Sequence, residues 1–330
     1  MQNKRTIPKK IDIGSHLRVV APSRNMNIIS KDGVNYAKQK LEALGFVVSF
    51  GKHVVETGRF NTSTIESRIS DLHEAFSDTS VDGVLTVIGG HNSNQLLQYI
   101  DYDLLEKNPK VLCGFSDITV LENAIYSKTG LVTYSGPHFS SWSMEKGFEY
   151  SLEYFLRCLK NSEPYEIEQS QNWSDDLWYT DQKNRRFIKN DGYWVLNGGS
   201  ANGKIVGGNL SSLALLFGTR FMPDLFNSIL MIEDISKVSP AIFDKLLQSL
   251  IYQIGFDGVR GLIIGRFQNG TNMSKKLLQE IIKDKEELKK IPILANFDIG
   301  HTTPIITFPI GGKVEMQLSK STAKIRMVEH

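Results

Sequence analysis

The chain has 330 residues, 41% of them hydrophobic and 22% charged, with a net charge of +2. That is long enough for two domains that each bury a core, and nothing in it marks disorder or gives reason to expect nucleic acid or an anionic membrane as the main partner. No apolar run approaches the ~20 residues needed to cross a bilayer, the basic opening from Met1 to Lys10 has no apolar segment behind it to make a secretory signal, and two cysteines are too few for a disulfide framework. The expected setting is the cytoplasm, with both thiols reduced, and the expected chemistry is that of a small molecule.

In chain order, Leu17 to Ala21 reads as a buried strand closed by the loop Pro22-Ser-Arg-Asn25. A helical stripe through Tyr36, Leu41 and Leu44 stops at Gly45, and Phe46 to Phe50 is a second strand. Ile65, Ile69, Leu72 and Phe76 form the apolar face of another helix. Val84 to Ile88 is a strand ended by Gly89-Gly90, with a short helix after it carrying Leu96, Leu97 and Ile100. Lys110 to Gly114 delivers Ser116, and the helical pattern that follows runs to Thr129-Gly130. This alternation indicates crossover units and a parallel sheet, whose sites lie at the carboxyl ends of its strands. Gly89-Gly90 and Ser116 both occupy such ends.

A helix through Phe148, Leu152, Phe155 and Leu159 completes a first domain, residues 1–160. The polar stretch 161–191, with Trp173 and Trp178, shows neither period and reads as a link plus a surface loop. Its tryptophans either anchor the loop on the core or offer a stacking platform to a planar ligand. Residues 192–330 form the second domain. It opens with a strand from Tyr193 to Leu196, and Asn197 to Gly203 reads as a turn between antiparallel strands. Gly207-Gly-Asn209 then leads into an apolar helix ending at Gly218. Ser228 to Ile232 is a strand with Glu233-Asp234 at its carboxyl end. Further strands at Leu262 to Ile264 and Ile291 to Ala295 alternate with helices, Gly300-His301 breaks the chain, and residues 305–309 and 314–318 read as a closing hairpin across Gly311-Gly312.

Ser116 on a strand-to-helix turn has two readings. One is a helix cap; the other is a nucleophile held out of the backbone, with the next N–H free to bind an oxyanion. A serine nucleophile needs an imidazole to take its proton and a carboxylate to fix that imidazole. Glu233 and His301 stand where strands end, in one of the chain orders known for such triads. Gly90 or His91 offers a backbone N–H beside Ser116 if the two strands are neighbours, and Asp117 offers the other.

Ile88-Gly-Gly90, Gly114-Phe-Ser-Asp-Ile-Thr119, Gly207-Gly-Asn-Leu210, Ile232-Glu-Asp234 and Gly300-His301, in this order, resemble the LD-carboxypeptidase family of serine peptidases, from about Leu17 to Leu318. The resemblance implies an α/β fold with an N-terminal Rossmann-like parallel sheet domain and a C-terminal mixed α/β domain with a barrel-like sheet. It implies a triad of Ser116, His301 and Glu233, oxyanion donors at Gly90 and Asp117, a cleft between the domains and a homodimer. Phe115 replaces the usual tyrosine before the serine, a change that a side chain pointing into the core would absorb. Lys237 stands where many members carry a further acidic residue. The tryptophan-bearing loop resembles the branch that inactivates microcin C, which implies a peptidyl or aminoacyl nucleotide as substrate and Trp173, Trp178, Trp194 and Asn209 as residues that contact it. The alternatives are removal of the terminal D-alanine from murein tetrapeptides and, in another class, a binding module without turnover. No cofactor and no metal are expected. Cys113 reads as a buried core residue, residues 198–208 fit no dinucleotide or phosphate loop, and His91 and His138 have no second ligand at metal spacing.

Overall fold

In the computed structural model, which describes residues 4–320 and 322–330, the first sheet is built from short hydrophobic runs: β1 (His16–Val20), β2 (Val47–Phe50), β3 (Gly83–Thr86), β4 (Val111–Gly114) and β5 (Thr133–Ser135). Every residue of β3, β4 and β5 is buried, as in strands covered on both faces. The helices between them are α1 (Lys31–Ala43), α2 (Ile65–Ser77), α3 (Tyr102–Lys107) and α4 (Thr119–Thr129), with α5 (Glu149–Leu159) after the last strand. Ser30 and Thr64 start α1 and α2 by accepting the backbone N–H of Gly33 and Ser67. These five strands are parallel in the order β2-β1-β3-β4-β5. The carboxyl ends of β3 and β4 are therefore neighbours. Met1 to Asn3, part of the basic opening, lie outside the described residues, and no helix among those described is long and apolar enough to cross a membrane.

The polar segment supplies β6 (Tyr165–Glu166) and a two-stranded ribbon of β7 (Asn172–Trp173) and β8 (Ile188–Lys189). Then follow β9 (Trp194–Asn197), β10 (Gly199–Asn209), α6 (Leu210–Leu213), β11 (Ser228–Glu233), α7 (Pro240–Ile251), β12 (Gly261–Gly265), α8 (Lys275–Lys283) and β13 (Ile293–Phe297). The chain ends with β14 (Phe308–Ile310), β15 (Lys313–Leu318) and β16 (Ala323–Glu329). The second sheet has the order β6-β16-β15-β10-β11-β12-β13-β9, with β10 to β13 parallel and the outer strands antiparallel. The α/β class and the two-sheet plan match the expectation. The second sheet is open, however: among the described residues its edges β6 and β9 do not pair, so it is not a closed barrel.

Two local readings are corrected. Residues 199–203 are not a turn but the first half of β10, running antiparallel to β15 from Gly199 opposite Leu318 to Lys204 opposite Lys313. Their glycines mark close backbone approach, since a Cβ at Gly203 would lie 2.8 Å from the Asn227 carbonyl oxygen. Nor do residues 305–318 form a hairpin. β14 crosses to the first sheet and pairs antiparallel with β5, where Pro309 sits in an edge strand that does not need its missing N–H. The hairpin partner of β15 is β16.

The two sheets meet where α4 lies on the carboxyl end of β10. Asn123 Nδ2 donates to the Gly207 carbonyl at 2.7 Å, Gly207 N donates back to Asn123 Oδ1 at 3.3 Å, and Asn209 N donates to Thr119 Oγ1 at 2.9 Å. Gly207 and Gly208 have φ of 144° and 115°, and a Cβ on Gly208 would sit 2.4 Å from Thr119 Oγ1. Gly208→Ala is expected to destabilise the fold by about 2–4 kcal/mol, while alanine at the open, surface glycine Gly14 costs about 1–2. Denaturant unfolding of the two variants checks the difference.

Candidate active site

The turn after β4 holds Ser116 at φ 62°, a left-handed conformation that a non-glycine residue adopts only when its surroundings impose it. Phe115 occupies the cap position of the helical turn that follows, and no side chain caps it. The Ser116 hydroxyl is instead directed to His301, whose Nε2 lies 3.0 Å from Oγ. His301 Nδ1 is 2.8 Å from Glu233 Oε2. With the ring proton on Nδ1, both bonds are made at once: the imidazole donates to Glu233 and accepts from Ser116.

Each member comes from the carboxyl end of a strand: Ser116 follows β4, Glu233 ends β11, and His301 follows β13. Glycines clear the space around the acid, since a Cβ at Gly300 would be 2.6 Å from Glu233 Oε2 and one at Gly265 would be 2.7 Å from Glu233 Cβ. Asn209, directly opposite Glu233 in the β10–β11 register, donates from Nδ2 to Glu233 Oε1 and Asp234 Oδ1, both at 3.2 Å. Its carbonyl oxygen accepts from Ser212 N and Oγ. Asn209 is thus buried behind the acids, with its amide committed to them. Burial and the neighbouring Glu233 push the Asp234 carboxyl up, against hydrogen bonds from Ser211, Ile235 and Asn209.

On the opposite side of Ser116, β3 delivers Gly89-Gly90. A Cβ on Gly89 would lie 2.9 Å from Ser116 Cβ and 3.3 Å from Asp117 N, and one on Gly90 would lie 2.2 Å from Ser23 Oγ. Only glycines allow this approach. The side chain of Asp117, which sequence reasoning did not single out, fixes the loop: Oδ2 accepts from Ser23 Oγ at 2.6 Å and from the N–H groups of Asn92 and Ser93 at 3.0 Å. Its only signal in the sequence was an acid directly after the serine.

His138, weighed in the sequence only as a metal ligand, lies with Nε2 3.1 Å from Phe115 N and 2.8 Å from Phe115 O. Burial lowers it to about 3, so it stays neutral. The Phe115 ring does not point into the core as expected. It stacks on His138 at 4.1 Å and tilts against His301 at 5.4 Å, because the extended backbone before a left-handed residue turns that side chain into the cleft.

The tryptophans do not converge. Trp173 lies under the Arg266 guanidinium at 5.4 Å, and Trp178 packs against the buried cluster of the first sheet that includes Phe139 and Trp142 and edge-on against Tyr179. Trp194 sits on the edge strand β9, packed against the buried cluster that includes Ile293 and Ala295 of β13, with Nε1 3.3 Å from Asp191 Oδ2. The loop bearing the first two is tied beside His301 by a pair of 2.7 Å backbone bonds between Ser174 and Thr303. Lys237 is exposed.

Burial alone would lower the His301 imidazole, but Glu233, by its charge and its hydrogen bond, and Asp234 beyond it outweigh that and hold the ring above its ordinary 6.5. Replacing Glu233 by Gln removes the main upward influence and leaves burial, so the midpoint must fall. Ring titration followed by NMR is expected to give a midpoint above 6.5 in the unsubstituted chain and a lower one in Glu233→Gln.

The sequence profile of the LD-carboxypeptidase N-terminal domain matches residues 17–136, and that of the LD-carboxypeptidase C-terminal domain matches residues 202–316. The chain is 48% identical to the putative carboxypeptidase YocD of Bacillus subtilis, over 97% of this chain and 99% of that one. It is 29% identical to the microcin C7 self-immunity protein MccF of Escherichia coli, over 98% and 97%, and 31% identical to a probable murein peptide carboxypeptidase of B. subtilis, over 96% and 93%. Among solved structures, an MccF-like protein from Bacillus anthracis superimposes with a TM-score of 0.97 at 50% identity, covering 98% of this chain and 100% of that one. MccF in complex with aspartyl sulfamoyl adenosine gives 0.87 at 28%, covering 98% and 99%. A tryptophan-to-phenylalanine variant of MccF in complex with adenosine monophosphate gives 0.88 at 28%, with the same coverage.

Proposed function

Because this chain belongs to the LD-carboxypeptidase family of serine peptidases, we propose that Ser116, His301 and Glu233 are its catalytic triad and that it hydrolyses a terminal amide bond through an acyl-enzyme. The observation that carries the reading is the continuous relay from Ser116 Oγ through His301 to Glu233, at 3.0 and 2.8 Å.

Ser116 Oγ attacks the carbonyl carbon while His301 Nε2 takes its proton, and Glu233 stabilises the imidazolium without itself being protonated. The negative charge that develops on the carbonyl oxygen is held by the N–H groups of Gly90 and Asp117, on the loop and turn that the Asp117 carboxylate locks together. One such donor typically contributes about 3–4 kcal/mol to the transition state. His301 then gives the proton to the leaving nitrogen, and a water activated by the same ring releases the acyl group. Asn209 acts behind Glu233 as a positioning residue. Ser116→Ala is expected to reduce turnover by about four to six powers of ten and to abolish labelling by a fluorophosphonate. Near-normal hydrolysis by that variant would reject the triad, and an unsubstituted chain that neither hydrolyses nor labels would leave a binding module.

For the substrate we favour a microcin C-type aminoacyl or peptidyl nucleotide. Similarity to MccF along nearly the whole chain supports it, as does the loop whose Ser174, next to Trp173, is bonded to Thr303 two residues after His301. Trp194 drops out of the proposed contact set, since its indole is committed to Asp191 and the core. The murein tetrapeptide is the competing substrate, favoured by the similarity to a probable murein peptide carboxypeptidase. One preparation assayed on an aspartyl phosphoramidate nucleotide and on the tetrapeptide is expected to cleave the nucleotide at least about tenfold faster in kcat/KM, a margin of ~1.4 kcal/mol. Cleavage of the tetrapeptide alone would reverse the preference.

A further inference from the structure

Arg24 lies on the oxyanion side of Ser116, in the loop after β1. Its N–H donates to the Gly89 carbonyl at 3.4 Å, and its side chain passes over Gly90 so closely that a Cβ there would be 3.1 Å from Arg24 Cγ. Arg24 is half-buried, and its Nε is buried with no hydrogen-bond partner. Among the described residues Arg185 also has a buried unpaired nitrogen, Nη2, but its Nε is held by Asp176, whereas no carboxylate pairs with Arg24. Arg5, Arg18, Arg157, Arg185 and Arg266 each pair with a carboxylate, and Arg68 donates to three carbonyls and Gln95. The carboxylate on this wall, Asp117, is taken up by Ser23, Asn92 and Ser93. A guanidinium drawn partly out of water with no anion is unfavourable unless a ligand completes it.

The position is also rigid. Asn25 N donates to the Asn61 carbonyl at 2.8 Å, Met26 N to the Val54 carbonyl at 2.7 Å, and Asn25 Nδ2 to the Glu56 carbonyl at 3.0 Å. The loop therefore holds its one unpaired cation in place before a substrate arrives, which lowers the ordering cost of binding.

We propose that Arg24 binds the anionic group that the substrate carries close to its scissile bond, a carboxylate or a phosphoryl oxygen, through its planar donor fork. This rests on the hydrolase reading above. A carboxypeptidase substrate carries a terminal carboxylate one residue beyond the bond that breaks, and a nucleotide substrate carries a phosphoryl group there. Arg24 then acts as a recognition residue, raising the affinity for charged substrates over neutral ones.

The test measures binding rather than turnover, in the Ser116→Ala background, by calorimetry on two matched pairs. One pair is adenosine monophosphate and adenosine; the other is the murein tetrapeptide and its C-terminal amide. With Arg24 intact, the charged member of one pair is expected to bind about ten to a hundredfold more tightly than the neutral one. Arg24→Gln is expected to erase that preference while leaving the neutral member within about twofold, and Arg24→Lys to restore part of it. The responding pair tells a phosphoryl ligand from a carboxylate one, and thermal melting of each variant confirms that it is folded. The proposal is overturned if the preference survives Arg24→Gln, if it is absent with Arg24 present, or if charged and neutral members weaken equally. None of these outcomes bears on the Ser116 triad, which stands or falls with the turnover of Ser116→Ala alone.

Discussion

The Ser116–His301–Glu233 relay depends on one contact, the seating of α4 against the glycine-containing end of β10. Ser116 is fixed to the first sheet and Glu233 and His301 to the second, so the distance between Ser116 and His301 is only as well defined as the junction between the sheets. Three hydrogen bonds between the side chains of Asn123 and Thr119 and the backbone of Gly207 and Asn209 set that junction. Each adds only about 1 kcal/mol net to stability, but together they fix both position and rotation, and the lack of a side chain at Gly208 lets the helix come within contact of the strand. Asn209 links the junction to Glu233, because its backbone N–H donates to Thr119 of α4 and its side chain donates to Glu233 of the second sheet.

Behind the histidine, two adjacent buried carboxylates are held in one site. Like charges so placed disfavour double ionisation, and the structure separates their roles by hydrogen bonding. Glu233 faces the imidazole, whereas Asp234 is turned away to Ser211, Ile235 N and Asn209 and carries the upward shift. Its remaining field still favours the imidazolium of His301. On the other wall the neutral His138 acts differently. With Nε2 against both the N and O of Phe115 it restrains the residue before the strained Ser116, and its ring stacks under the phenyl group. A charged imidazole there would repel His301, and burial prevents that charge.

Much of this was legible in the sequence, because strand ends are marked by composition: apolar runs stopping at Gly89-Gly90, Gly114 and Glu233 place the reactive residues at the edge of a parallel sheet. What was not legible depends on the partners that strands choose in space. Residues 199–203 have the composition of a turn, yet form a strand because they pair in register with β15, and the close approach of Asn227 to Gly203 accounts for the glycine there. β14 joins the other sheet, a step that local pattern cannot encode. Asn209 looks like a residue that could meet a substrate, and only the register of β10 against β11 turns its amide to the acids. Trp194 stands in a strand that the sequence already marks, but only the pairing of that strand with β13 at the sheet edge commits its ring to the packed interior and Asp191.

The loop and the histidine are positioned by the same bonds. Asp298, three residues before His301, accepts from Arg266 at 2.7 Å and from Ser170 N and Oγ at 2.9 and 2.7 Å, while Thr303, two residues after it, pairs with Ser174. A buried ion pair such as Arg266–Asp298 contributes little net stability but restricts the chain to one arrangement. Here that arrangement includes Trp173, which packs under the same Arg266 guanidinium. A displacement of the loop is therefore transmitted to the segment that carries His301. The bonds that hold the loop thus also hold the imidazole against Ser116.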